Sequence, residues 1–215
     1  MQSIERVIAS ASRCEIVFCG FTDGHPRSPA PTGIPSAGTS VETASGRLGK
    51  FISARVSFSF TWTAQYDQAG LLLSLRPGSA SLTDTAASPL TPPKWLKTGV
   101  EFYNSLPRIS TVSCDAWADW SVSPLTNTEA SSGKDTWTTV LVERATGSDG
   151  KGVSWWVYEL LDSGEKIPLR EVCWIYGSGE DWELEVAAYV ARPAKDGVDE
   201  SLVAEFKGFS VEWET

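Results

Sequence analysis

Apolar and polar residues alternate with a period of two between residues 52 and 62. The apolar positions are Ile52, Ala54, Val56, Phe58, Phe60 and Trp62, and the positions between them are Ser53, Arg55, Ser57, Ser59 and Thr61. Successive side chains of a strand point to opposite faces of a sheet, so this pattern predicts a β-strand with one buried and one polar face.

Eight further strand-like runs follow along the chain, at residues 70–75, 96–102, 109–114, 136–142, 153–160, 172–176, 184–190 and 202–213. Clusters of Gly, Pro, Asp and Ser separate them, and no segment has the period of an amphipathic helix. Many strands without intervening helices are typical of an antiparallel sandwich or barrel. We therefore predict an all-β fold, a jelly-roll sandwich of two antiparallel sheets.

The length of 215 residues predicts a single domain over residues 1–215. Residues 22–49 are rich in Gly, Pro, Ser and Thr, a composition that predicts a long surface loop. His25, the single histidine, lies in this loop. We interpret it as a solvated side chain, with a catalytic role as the alternative.

Charge and cysteine content restrict the partners and the compartment. The chain carries 18 Lys and Arg against 27 Asp and Glu, a formal net charge of −9, which disfavours binding to nucleic acid or to an anionic membrane. The sequence shows no apolar signal core or membrane-length segment. The four cysteines lack C-x-x-C spacing, so we interpret them as small buried side chains of a reduced, cytoplasmic protein.

We predict neither a metal nor a cofactor. One histidine is too few for most zinc sites, and Asp84, Asp115 and Asp119 lack the spacing of a calcium loop.

The run from residue 94 to residue 102 brings candidate chemistry to one face of a strand. Alternation places Leu96, Thr98, Val100 and Phe102 on the core face, and Trp95, Lys97, Gly99 and Glu101 on the other. We expect the second set to line a concave groove, in which Gly99 leaves room for a ligand. The alternative is an ordinary solvent-facing ion pair between Lys97 and Glu101.

Tyr66, Asp67 and Gln68 stand at the entrance of the strand predicted at 70–75, where an aromatic ring and an amide suit a polyhydroxylated ligand. For Asp67 the alternative is that its carboxylate satisfies backbone groups at a bulge. Arg192 is a candidate contact for an anionic group, with pairing to a cross-strand glutamate as its alternative. Among the tryptophans, Trp120 is our candidate for an exposed ring.

Five short strings occur in an order that resembles the regulation-of-enolase-type family of the concanavalin A-like lectin/glucanase superfamily. They are YDQAG at 66–70, W-x-K-x-G-x-E at 95–101, DWS at 119–121, PLREV at 168–172 and ARP at 191–193. The resemblance spans residues 47–213 and implies a concanavalin A-like jelly roll. It places Trp120 and Arg192 in matched strings, and it implies functions that range from enolase regulation to sugar binding.

Our leading hypothesis is a regulatory protein that binds a carbohydrate-like or other small polar ligand through Tyr66, Asp67, Gln68, Trp95, Lys97, Glu101, Trp120 and Arg192. An enzyme that hydrolyses a glycan or rearranges a small metabolite is the first alternative, with Glu101 as general acid or base and Lys97 tuning its charge. Glycan hydrolysis would need a second carboxylate, and Glu143 and Glu183 are the candidates. The second alternative is a protein-interaction module for a partner such as enolase. Pairing at an exposed sheet edge could also form a homodimer.

Overall fold

The computed structural model describes residues 5–9, 16–19, 44–78, 94–126, 136–179, 181–193 and 202–215. Within them the alternating segments form thirteen strands: β1 (Glu5–Ala9), β2 (Ile16–Cys19), β3 (Ala44–Arg47), β4 (Phe51–Phe60), β5 (Gln68–Arg76), β6 (Lys94–Tyr103), β7 (Leu106–Cys114), β8 (Ala118–Pro124), β9 (Thr138–Thr146), β10 (Gly152–Leu160), β11 (Lys166–Val172), β12 (Glu183–Ala191) and β13 (Leu202–Trp213). Two short 3-10 helices lie at Leu48–Lys50 and Ile175–Ser178.

The strands form two antiparallel sheets. The first sheet has the order β1-β13-β4-β9-β10-β11, and the second has the order β2-β12-β5-β6-β7-β8, with β3 also paired to β12. Aliphatic side chains from the inner faces of both sheets meet in one core, which includes Val56, Leu71, Val100, Val142 and Val186. The predicted fold class is confirmed: the protein is an all-β jelly-roll sandwich of two antiparallel sheets.

Strand β4 follows the predicted alternation except at its start. Ala54, Val56, Phe58 and Phe60 are buried, but Ile52 is exposed and Phe51 takes its place in the core. The pairing of β4 with β13 shifts by one residue at this point, between Glu212 and Trp213. Such a bulge inserts an extra residue and reverses the faces beyond it, which a strict period of two cannot anticipate.

Two further expectations about strands need correction. The strand predicted at 172–176 lies earlier, at Lys166–Val172, and a 3-10 helix that starts at Ile175 occupies the end of the predicted range. Strand β8 was not predicted, because six of its seven residues are exposed and give no alternating signal. The predicted loop at 22–49 contains β3 near its end; residues 22–43, including His25, lie outside the described residues.

The cysteines that can be placed are less buried than predicted. Cys114 is half-buried and Cys173 is exposed, and both are free thiols. The side chains of Cys14 and Cys19 lie outside the described part of the structure. In the part of the chain that is described, no helix is long and apolar enough to cross a bilayer.

Candidate functional site

The outer face of the second sheet carries a compact group of polar and aromatic side chains around Glu101. As predicted, Leu96, Thr98 and Val100 are buried on the inner face of β6, where Leu96 and Val100 join the core. The neighbouring positions of the strand therefore face outward. We call the outer surface of β5, β6, β7 and β8 around this residue the Glu101 face.

Glu101 is a nearly buried carboxylate, with only 6% of its surface exposed. The Ser110 hydroxyl donates to its Oε2 atom at 2.8 Å, and the Trp120 indole Nε1 donates to the same oxygen at 3.2 Å. Among the described residues no hydrogen bond reaches Oε1. The two bonds fix the carboxylate through one oxygen and leave the other for an incoming donor.

Lys97 lies beside Glu101 and is tied to β5. Its ammonium group donates to the Gln68 side-chain oxygen, and Gln68 Nε2 donates to the backbone oxygen of Tyr66 at 3.1 Å. Burial lowers the pKa of Lys97 below its usual value of 10.5, and the negative charge of Glu101 opposes that shift. The alternative of an ordinary solvent-facing ion pair does not hold, because Glu101 is buried and Lys97 is bonded to Gln68.

Three aromatic rings form a rim beside the carboxylate. Tyr66 is 40% exposed and stacks on Tyr103, with ring centroids 6.0 Å apart. Tyr103 in turn meets Trp120 edge-on at 4.9 Å, and Trp120 is 43% exposed. Tyr66 has a positive φ of 69°, which directs the chain through a tight turn before β5. The exposure predicted for the Trp120 ring is thus confirmed.

Tyr103, Ser110 and Tyr189 belong to the group but were not predicted. Tyr103 stands two residues after Glu101 on β6, so the alternation of side chains along the strand predicts that both point to the same face. Ser110 and Tyr189 come from strands whose pairing the sequence does not reveal. Tyr189 is buried, and burial together with the charge of Glu101 raises its pKa above the usual range.

Gly99 does not leave room for a ligand. A Cβ atom at this position would stand 2.1 Å from the backbone oxygen of Ala69 and 2.7 Å from the Cα of Gly70. The space that the missing side chain provides is occupied by the backbone of β5, which approaches β6 closely at the Gly70–Gly99 pair. The glycine therefore permits strand packing instead of ligand entry.

Asp67 and Arg192 form a buried ion pair that supports the turn carrying Tyr66. The Arg192 guanidinium donates to both carboxylate oxygens of Asp67, each at 2.7 Å. Asp67 also accepts hydrogen bonds from the backbone N–H groups of Thr63 and Ala64, at 2.8 and 2.9 Å. The structure thus confirms the backbone-satisfying alternative for Asp67, and Arg192 pairs with Asp67 and not with a cross-strand glutamate.

Trp95 lies on the outer face of β6 but far from Glu101 along the strand. Six residues separate it from Glu101, a distance of roughly 20 Å along an extended strand. It pairs with Ser74 and Cys114, at the opposite end of the face. The structure therefore places Trp95 next to Lys97 on the outer face of β6, two residues away, and separates it from Glu101 and from the turn that carries Tyr66.

The proposed second carboxylates are also distant from Glu101. Glu143 belongs to β9 in the other sheet, where Lys166 Nζ donates to it at 2.7 Å. Ala191 of β12 is level with Glu101, because both residues pair with Gln68 of β5. Glu183 stands eight residues before Ala191 on β12, so it lies roughly 26 Å from Glu101 along the strand direction. Glycosidases that use two carboxylates need them within about 5 to 10 Å, so neither pairing is correct.

Metal-binding groups are absent from the described residues, where no three His, Cys, Asp or Glu side chains are placed to hold an ion. Asp115 is paired with Lys94 at 2.6 Å and Asp119 with Arg170, while Asp84 lies outside the described part of the chain.

The lowered pKa of Lys97 predicts a pH dependence of stability. Between the native pKa and 10.5 the unfolded chain holds more protons than the native state, so the free energy of unfolding should rise with pH in this window. We expect wild type to gain stability relative to Lys97→Met as the pH approaches 10.5. Urea unfolding of both proteins across this range measures the difference, and a constant difference would contradict the prediction.

Comparison with known sequences identifies relatives whose functions are not described. Residues 44–213 match the family DUF1349, described as a protein of unknown function. The uncharacterized protein AN7484 of Emericella nidulans is 36% identical over 165 residues, which cover 77% of this chain and 70% of that protein.

Solved structures with the same architecture include a functionally unknown protein from Saccharomyces cerevisiae. It is 18% identical, has a TM-score of 0.54, and the match covers 80% of this chain and 74% of that one. The GH43 protein BlXynB from Bacillus licheniformis is 12% identical with a TM-score of 0.48, over 73% of this chain and 26% of that one. At these identities the likeness concerns the fold alone.

Proposed function

The chain belongs to the DUF1349 family of proteins of unknown function, and we propose that it binds a carbohydrate-like, polyhydroxylated ligand on its Glu101 face. The protein would have a regulatory role, in which the concentration of the ligand in the cell determines how much of the protein is in the bound state.

The observation that carries this proposal is the Glu101 carboxylate itself. It is nearly buried, held through Oε2 by Ser110 and Trp120, and its Oε1 atom accepts no hydrogen bond from the described residues. A buried carboxyl oxygen that accepts no hydrogen bond is costly in such a place, and a ligand hydroxyl would supply that bond.

The groups around Glu101 match the two kinds of surface on a sugar. Lys97 has three N–H donors and, among the described residues, gives one of them to Gln68, so two are offered to ligand oxygens. Tyr66 and Trp120 offer partly exposed rings against which the apolar face of a sugar can pack. An aromatic surface beside a few polar groups that fix the orientation of the ligand is typical of small-molecule binding sites.

Glu101→Gln should weaken ligand binding about thirtyfold, because an NH2 group takes the place of Oε1 and cannot accept the hydrogen bond that the ligand hydroxyl donates. The amide oxygen can still accept from Ser110 and Trp120, so the fold should be retained. We would screen wild type on a glycan array. Calorimetry would then measure the affinity of wild type and of Glu101→Gln for the glycan that wild type binds.

Glu183→Gln is the matched control, since Glu183 is an exposed glutamate on the same sheet, distant from Glu101. It should bind as wild type does. Equal affinity of Glu101→Gln and wild type would contradict the proposal. A glycan array on which wild type binds no glycan would contradict it as well.

The same material tests the two alternatives. Turnover of a retained glycan, abolished in Glu101→Gln, would favour an enzyme in which Glu101 and Lys97 act as the acid–base pair. If wild type binds no glycan and enolase co-purifies with it, the interaction module is favoured.

A further inference from the structure

A second cavity lies at the open edge of the sandwich, where β8 of one sheet faces β11 of the other. Its volume is about 460 Å³, within the range of small-molecule sites. It is lined by Asp115, Trp117, Asp119, Arg170, Glu171 and Trp174, among others. We call it the edge pocket.

The edge pocket is separate from the Glu101 face although a single strand divides them. On β8, Trp120 reaches Glu101 on the outer face of its sheet, whereas the preceding residue, Asp119, reaches Arg170 on β11. Adjacent residues of a strand point to opposite sides, which places the two sites on the two sides of β8.

Two tryptophans give the edge pocket an aromatic character. Trp117, in the turn between β7 and β8, is 87% exposed, an unusual state for so large an apolar side chain. Trp174 is half-buried and held in place by the Lys94 ammonium, which lies 5.9 Å from its ring and 5.0 Å from that of Trp182. One wall is therefore fixed, and the other presents a ring to solvent.

The charges of the edge pocket indicate a neutral ligand. Asp115 is paired with Lys94 at 2.6 Å, and Asp119 is paired with Arg170, whose Nη1 also donates to the Asp119 backbone oxygen at 3.0 Å. Glu171 follows Arg170 on β11, so its carboxylate points to the other face of that strand, where it accepts from the Ser154 hydroxyl at 2.7 Å. The two carboxylates at the pocket are each paired with a cation, which favours a neutral ligand whose hydroxyl groups can donate to the Asp119 oxygens.

From the cavity, the two indoles and the nearly balanced charge we infer that the edge pocket binds one ring of a neutral glycan. The ring packs against Trp117, and its hydroxyls donate to the Asp119 carboxylate. This site does not depend on the Glu101 face, and each can be tested alone.

Fluorine NMR of protein labelled with 5-fluorotryptophan distinguishes the two sites. The signals of Trp117 and Trp120 are assigned by their loss in Trp117→Phe and Trp120→Phe. Titration with the methyl pyranosides of glucose, galactose, mannose and N-acetylglucosamine should shift the Trp117 signal saturably for at least one of them. That shift should persist in Glu101→Gln, and methyl glucuronoside should bind more weakly than methyl glucoside.

Variants and controls complete the test. Trp117→Ala, followed at the Trp174 signal, should bind about tenfold more weakly because an aromatic stack is lost. Leu106→Ala removes another exposed apolar side chain, at the opposite end of β7, and should bind as wild type does.

The inference is overturned if no methyl pyranoside shifts the Trp117 signal, if the shift disappears in Glu101→Gln, or if the glucuronoside binds more tightly. A shift of Trp120 alone would overturn the edge pocket and leave the proposal for the Glu101 face intact.

Discussion

Gly99→Ala is expected to destabilise the protein by about 3 kcal/mol, the upper range for an overpacked position. The added methyl group would stand 2.1 Å from the Ala69 carbonyl oxygen and 2.7 Å from the Gly70 Cα. Both atoms belong to the backbone of a central strand, which is paired on its other side to β12, so neither can move as a flexible side chain would. For a chain of this length the loss corresponds to a fall of roughly 10 °C in Tm.

Gly177→Ala is the matched control for this change. A Cβ atom at Gly177 meets nothing within 4 Å, so thermal unfolding should be close to that of wild type. If Gly99→Ala melts within about 2 °C of Gly177→Ala, a difference below 1 kcal/mol, the close approach of β5 and β6 does not constrain this position.

The fold was predictable where burial on one face imposes a simple period on the sequence. β4, β6 and β12 were located because buried apolar residues alternate along them. The bulge at Phe51 depends on the pairing with β13, more than 150 residues away, and no local pattern encodes it. β8 lies at the edge of its sheet and is largely exposed, so the pattern that identifies a half-buried strand is missing.

The candidate site was predictable within one strand and less so between strands. Alternation placed Lys97 and Glu101 on a common face, which the structure confirms. Ser110, which donates to Glu101, comes from β7, and only the register of that strand brings the two together. The distance of Trp95 from Glu101 shows the converse, since a shared face does not imply a shared site.

The contact between Asp67 and Arg192 is the hardest of these to predict from the sequence, because 125 residues separate the two partners. We expect Asp67→Ala to destabilise the protein by about 3 to 5 kcal/mol, the range found when one member of a buried ion pair is removed. Arg192 is 3% exposed and would keep its charge without the carboxylate that neutralises it. The backbone N–H groups of Thr63 and Ala64 would lose their acceptor as well.

The effect should extend to the Glu101 face, because the same turn carries Tyr66, whose backbone oxygen accepts from Gln68. Asp119→Ala is the control: it also removes an aspartate from an arginine pair, but the Asp119 side chain is 71% exposed, so the loss should stay below about 1 kcal/mol. Urea unfolding of the two variants measures the contrast. Equal losses would mean that the buried pair contributes no more than a surface pair, and that other contacts hold the turn before β5 in place.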